Sequence, residues 1–233
     1  MRIIVAAFLL LACASSCRMR TGSGNVISKT VNVGSFTGIR VSGPFQVEVR
    51  TGAIEPVRIE ADDNLIDDIK VRGEGDMLVI EMKGHMNLRN ATLKIKVSMP
   101  ELHNMEASAA AHVILNDQVH SDRMKFNASS ASHIEGNIDA PEVELHASSG
   151  AKIDMEGRSR LVDAQVSSGA SIHASTLMAE KTKASASSGG TAEVHASTEL
   201  NASASSGGSV RYAGGAMNVV KDVSSGGSVS KMN

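Results

Sequence analysis

Hydrophobic and polar positions alternate with a period of two along much of the chain beyond residue 26, and in the second half the alternation itself repeats. A short turn returns seven times: Ser108-Ala109-Ala110, Ser129-Ser130-Ala131, Ser148-Ser149-Gly150, Ser167-Ser168-Gly169, Ser187-Ser188-Gly189, Ser205-Ser206-Gly207 and Ser224-Ser225-Gly226. The spacings are 21, 19, 19, 20, 18 and 19 residues. One residue before each first serine stand Ala107, Ala128, Ala147, Val166, Ala186, Ala204 and Val223. Three before stand Met105, Phe126, Leu145, Ala164, Ala184, Ala202 and then Lys221, which breaks the column. Five before stand His103, Met124, Val143, Val162, Thr182, Leu200 and Val219. The intervening positions are polar: Asn127, His146, Gln165, Ser185, Ser203 and Asp222 at minus two, and Lys125, Glu144, Asp163, Lys183 and Asn201 at minus four. Such alternation sends one row of each strand inward. Five residues after the serine come Val113, Ile134, Ile153, Ile172, Ala192, Val210 and Val229, mostly β-branched, as a second short strand requires.

A fixed period near 20 residues is the signature of a solenoid, in which one coil cannot bury a face alone. A disordered Ser/Ala/Gly linker shares the composition but has no reason to hold apolar residues in register through seven repeats. The spacing therefore predicts an all-β, right-handed parallel β-solenoid with coils of about 19 residues. Its structural corners are Ser129, Ser148, Gly150, Ser167, Gly169, Ser187, Gly189, Ser205, Gly207, Ser224 and Gly226. Glycine reaches positive φ without steric penalty, and so permits a sharp corner on each coil. Serine can bond nearby backbone and stack on the serine of the next coil. The inward column shrinks from Phe126 and Leu145 to alanines, which predicts a solenoid that narrows toward its end.

Earlier in the chain the pattern is looser. Residues 36–49 alternate and carry their own Ser42-Gly43 corner. Residues 56–61, 76–82 and 91–99 also alternate, with turn sequences at Asp62-Asp63-Asn64 and at 73–76. Residues 64–69 suit a short helical turn, and no long amphipathic helix is visible. We read 1–16 as an export signal, 17–25 as a tether, and 26–233 as one solenoid domain, irregular to about residue 100 and regular over 101–233. Arg2, the apolar run of residues 3–11 and the small residues 12–16 form the signal, which is too short to span a bilayer. Cys13 and Cys17 both stand in contexts that resemble a bacterial lipoprotein signal-peptidase site. Leu10 favours Cys13. The longer apolar region and the polar start at Arg18 favour Cys17, which we assign as the lipidated residue. A single lipidated cysteine leaves no disulfide.

The segment from Gly22 to Val26, then 36–49, Glu60-Ala61-Asp62-Asp63-Asn64-Leu65, Val97 to Leu102 and the serine-glycine coils together resemble the putative auto-transporter adhesin family with a head GIN domain. That resemblance implies an exported, often lipid-anchored protein of a Gram-negative envelope with a parallel solenoid fold. It places the protein in the outer membrane, on the cell surface or the periplasmic face, and brings no catalytic motif with it.

Charge and composition narrow the function. With 23 basic and 25 acidic residues, the net charge of −2 excludes a nucleic-acid partner, which needs a basic patch. Aromatics at 2% argue against a sugar site built on stacked rings. The candidate ligand-facing ladder is Lys125, Asn127, Glu144, His146, Asp163, Gln165 and Lys183. Within it, Glu144 and Asp163 on adjacent coils suggest the paired carboxylates of a polysaccharide lyase or hydrolase; a solvated stripe flanked by lysines is the plainer reading. His112 and His133 share one register and would stack, but two imidazoles without a third ligand assign no metal, and no cofactor is expected. Seven equivalent serines without a matching base are structural, not nucleophilic. The expected partners are a membrane, through the lipid anchor, and surface glycans or proteins. Self-association through the solenoid ends is also expected. The function expected is adhesion or surface presentation without catalysis; an envelope polysaccharide enzyme and a structural or assembly protein are the alternatives.

Overall fold

A strand with alternating side chains offers every second residue to a core, and burial along the repeats follows that rule. The computed structural model describes residues 19–84 and 87–232; Cys13, Cys17 and the export signal lie outside them. Met105, Phe126, Leu145, Ala164, Ala184 and Ala202 are fully enclosed; the minus-one column is buried through residue 204 and the minus-five column from Met124 to Leu200, while His103 at its start is exposed. Val113, Ile134, Ile153, Ile172, Ala192 and Val210 close the core from the second strand. The strands stack in parallel, coil upon coil: Arg123–Ala128 on the C-terminal part of His133–Ala147, that on Lys152–Val166, then Leu177–Ala186, Glu199–Ala204 and Asn218–Val223. After the corner, His112–Leu115, His133–Ala147, Lys152–Val166, Ser171–Ala174, Thr191–His195, Ser209–Ala213 and Ser228–Lys231 form the second wall. The fold is a parallel β-solenoid with coils of about 19 residues.

Each corner holds two consecutive residues at positive φ: Ala109 (54°) and Ala110 (64°), Ser149 (53°) and Gly150 (71°), Ser188 (49°) and Gly189 (72°). A main-chain bond closes it, as where the Ala151 N–H donates to the Ser148 carbonyl at 3.1 Å. This is a type I′ turn. The left-handed conformation is shared: glycine takes it where it follows the serines, and the second serine takes it at every Ser-Ser corner. Glycine in the fourth place has a different cause. Gly208 runs so close to the preceding coil that a Cβ on it would lie 2.4 Å from the Ala186 carbonyl oxygen. The corners are also cross-linked by main chain. The Gly150 N–H donates to Ser168 and the Gly169 N–H to Ser188, both at 3.1 Å.

The irregular spacings fall on a third, short side of the coil. Val113 pairs with Ile134, but Val119 pairs with Ile138, so two extra residues loop out over 116–118. Ala174 and Leu177 flank a turn at Ser175-Thr176 that lengthens the next coil. The two main walls keep their register throughout.

The first half departs from a simple stack. The coil nearest the N-terminus, Gly38–Ser42 and Gln46–Thr51, is not at the end of the solenoid. It lies between the strands of Asn104–Ser108 and His112–Leu115 on one side and Met77–Met82 and Leu93–Met99 on the other. Beyond these, Ile69–Glu74, Val57–Asp62 and Val26–Val31 pair antiparallel and form a cap. Alternation in the 76–82 segment does not mean one wet face, because Met77, Leu78, Val79 and Ile80 are all buried. Arg40 and Arg72 flank Val79 in register, where their aliphatic stems can cover it. The helical turn expected over 64–69 is a 3-10 turn at Ile66–Asp68. Asp62, 1% exposed, is tied into the cap: its carboxylate accepts the N–H groups of Gly24 and Thr92, each at 2.7 Å. At the opposite end Lys221 takes the place of an inward alanine, and its Nζ lies 5.1 Å from the centre of the Tyr212 ring.

Candidate functional site

Outward rows of a strand lie two residues apart, so a groove floored by main chain runs between the minus-two row and the corner serines. Asn127, His146, Gln165, Ser185 and Ser203 form one bank, and Ser129, Ser148, Ser167, Ser187 and Ser205 the other. The register of the stacked strands aligns them. The volume is about 380 Å³, spread over five rungs, or about 20 Å at a rung spacing of about 4.8 Å. Short serines keep the channel open. Its walls offer hydroxyls, amides and one imidazole, suited to many weak hydrogen bonds.

The minus-four row beside it holds the paired carboxylates in adjacent register. Glu144 forms ion pairs with Arg123 and, at 3.5 Å, with Lys125, and His146 lies 3.7 Å away. Asp163 receives Lys183 at 3.5 Å and Gln165 at 3.2 Å. The hydrogen bond from Arg123, more than the charge of Lys125, holds the Glu144 carboxyl below the ordinary glutamate range. A general acid needs the opposite shift. The lysines that flank the acids in sequence thus neutralise them in space.

The second wall brings together residues that sequence reasoning left apart. The rings of His112 and His133 stack 4.7 Å apart and nearly parallel, at 4°. Glu135, two residues beyond His133, points back so that its carboxylate lies 3.1 Å from His112 Nε2. Asp154, one coil on, lies 2.6 Å from His133 Nε2, 2.8 Å from His173 Nδ1 and 2.6 Å from Lys152 Nζ. Burial raises the Asp154 carboxyl, but the hydrogen bonds from Lys152, His173 and His133 outweigh it and hold it below its usual range. Glu135, Asp154 and His173 line a groove of about 670 Å³, rimmed by the two inserted segments at 116–118 and 175–176. The missed partner, Glu135, was visible in principle: residues i and i+2 of a strand share a face, and the coil register sets His112 diagonally beside it.

The stacked coils thus carry outward polar ladders whose carboxylates are engaged in ion pairs. The chain belongs to the putative auto-transporter adhesin, head GIN domain family, whose pattern it matches over residues 35–216. A putative adhesin from Bacteroides fragilis superposes with a TM-score of 0.84 at 16% identity, covering 91% of this chain and all of the other. A putative adhesin from Parabacteroides distasonis gives 0.73 at 22% identity, over 92% of this chain and all of the other. A putative lipid binding protein from the same organism gives 0.73 at 21%, over 93% and all of the other. At these identities the likeness is one of fold. A search of curated proteins finds no match.

Proposed function

We propose that this protein is an adhesin-type binding module of the bacterial envelope, held to the outer membrane by a lipid on Cys17 and recognising a surface glycan or protein through its polar ladder, without catalysis. The observation that carries the reading is the groove between the minus-two row and the corner serines: five rungs of short polar groups in one register. Binding there is the sum of weak contacts spread along the ladder, so no one side chain dominates. The family's description supports the same class. Among the described residues no helix is long and apolar enough to cross a membrane.

The test uses the purified full-length protein against a panel of envelope and host polysaccharides. Glu144→Gln and Asp163→Asn should produce no turnover and only modest losses of binding. Ser167→Tyr, which fills the groove at its centre, should abolish binding to any polysaccharide the parent retains. Product formed by the parent and lost in either carboxylate variant, on the scale of the 10²–10⁴-fold that a general acid or base contributes, would replace this reading with a polysaccharide enzyme. For the anchor, Cys17→Ala should shift the protein from the membrane fraction to the soluble one. Retention in the membrane, with release of Cys13→Ala instead, would move the lipid to Cys13.

A further inference from the structure

We propose that His112, His133 and Glu135 form a binding site for a first-row divalent transition cation, of the zinc or copper class, on the wall of the solenoid after the corner. The site is distinct from the ladder groove and does not depend on it. Donor atoms of these three side chains all lie within 4.8 Å of one another, and all three side chains are half-buried. Bonds of about 2.0–2.1 Å in a tetrahedral site place donors about 3.4 Å apart. Closing the present separation takes small side-chain rotations, including a tilt of the two parallel rings toward one another. The backbone need not move, because the stacked strands already fix the two histidines as register partners.

Two further features point to a cation at this place. Asp154 is already engaged by Lys152 and His173, so against His133 it acts as an orienting carboxylate and leaves Glu135 to serve as the ligand. Carboxylates that hold the second nitrogen of a ligating histidine are the usual outer shell of such sites. Independently, both segments that lengthen the coils, 116–118 and 175–176, fall on the rim of the groove lined by Glu135 and by Asp154, the carboxylate that holds His133. The cluster thus stands at the edge of a recess made by two local additions to a repeat that is otherwise regular, with Glu135 reaching into it.

The donor set selects the ion. Two imidazoles and one carboxylate suit zinc, copper or nickel, whereas calcium and magnesium prefer oxygen ligands throughout. Three protein donors leave a coordination position open to water or to a donor from another surface.

The experiment is titration calorimetry on the full-length protein, purified without a histidine tag and stripped with chelator, using Zn²⁺ and then Cu²⁺. One equivalent should bind saturably. His112→Ala, His133→Ala and Glu135→Gln should each weaken binding at least tenfold, while His103→Ala, outside the cluster, should leave it unchanged. Zn²⁺ should raise the thermal midpoint of the parent, and the rise should disappear in the three variants. Glu135→Gln keeps the size and hydrogen-bonding reach of the side chain, so it decides the matter even if a histidine variant fails to fold. The proposal is overturned if no saturable binding is seen, if both histidine variants bind as the parent does, or if Ca²⁺ binds equally well.

Discussion

Gly157 and Gly169 both have positive φ, at 118° and 68°, for different reasons. At Gly169 an added Cβ meets nothing within 4 Å, whereas at Gly157 it would lie 1.9 Å from the Ile138 carbonyl oxygen. The first glycine permits a passage between coils that no side chain can share; the second only eases a turn. Gly169→Val should therefore lower stability by about 1–2 kcal/mol, the penalty of a left-handed side chain. Gly157→Ala, though the smaller change, should cost about 3 kcal/mol or more, since backbone must move. Thermal or urea unfolding of the two variants compares them, and equal losses would mean that the coil at 157 yields. Only the second of these glycines was legible as a corner. Gly157 stands inside the strand Lys152–Val166, and its neighbour across the ladder is set by stacking.

At the scale of the strand, the columns read from alternation are the columns that pack. Leu145 and Ala184 occupy the same inward row and are both fully enclosed. Leu145→Ala should cost about 2–5 kcal/mol through the cavity it leaves. Ala184→Leu should cost about 1–3 kcal/mol by overpacking the narrow coil. Unfolding midpoints of both variants check this, and neutrality of both would reverse the assignment of the row. The outward columns were equally legible, because the period that buries one row exposes the other. Their contacts were not: Glu144 and Asp163 look alike in sequence, yet Arg123, which pairs with Glu144, stands outside the minus-four column.

For the whole molecule, the two ends differ. The N-terminal cap covers the core with antiparallel strands and fixes its own turns through Asp62. Asp62→Ala removes the buried acceptor of the Gly24 and Thr92 N–H groups and should cost about 1–3 kcal/mol in all, since Gly24 is exposed and can turn to water. The variant should lose protection from hydrogen exchange in Val26–Val31 and Val57–Asp62 first, with the coils beyond residue 104 protected longer, as nearest-neighbour stability in a repeat requires. Loss of protection throughout the chain in a single step would mean that cap and coils unfold together. Among the described residues no antiparallel strand covers the last coil. Val220 and Val223 are about half exposed, and Lys221 holds the place of an inward side chain there.

The sequence by itself determined the coil, the corner and the inward rows. Each is a local rule repeated, and repetition in register is visible without coordinates. It also marked the outward rows, since these follow from the inward ones, though not the groove between the minus-two row and the corner serines. Only the tertiary structure decided what depends on strands distant in sequence meeting. It inserted the coil of 38–51 between strands that come later in the chain, and it closed the N-terminal end with antiparallel pairing in which Val57–Asp62 and Ile69–Glu74 run against the coils. It also set Glu135 and Asp154 against a histidine pair that looked incomplete. The physical reason is the same in each case: period-two alternation tells a residue which way to face, but the residue it faces is chosen by the stacking register, and that is set by the whole fold.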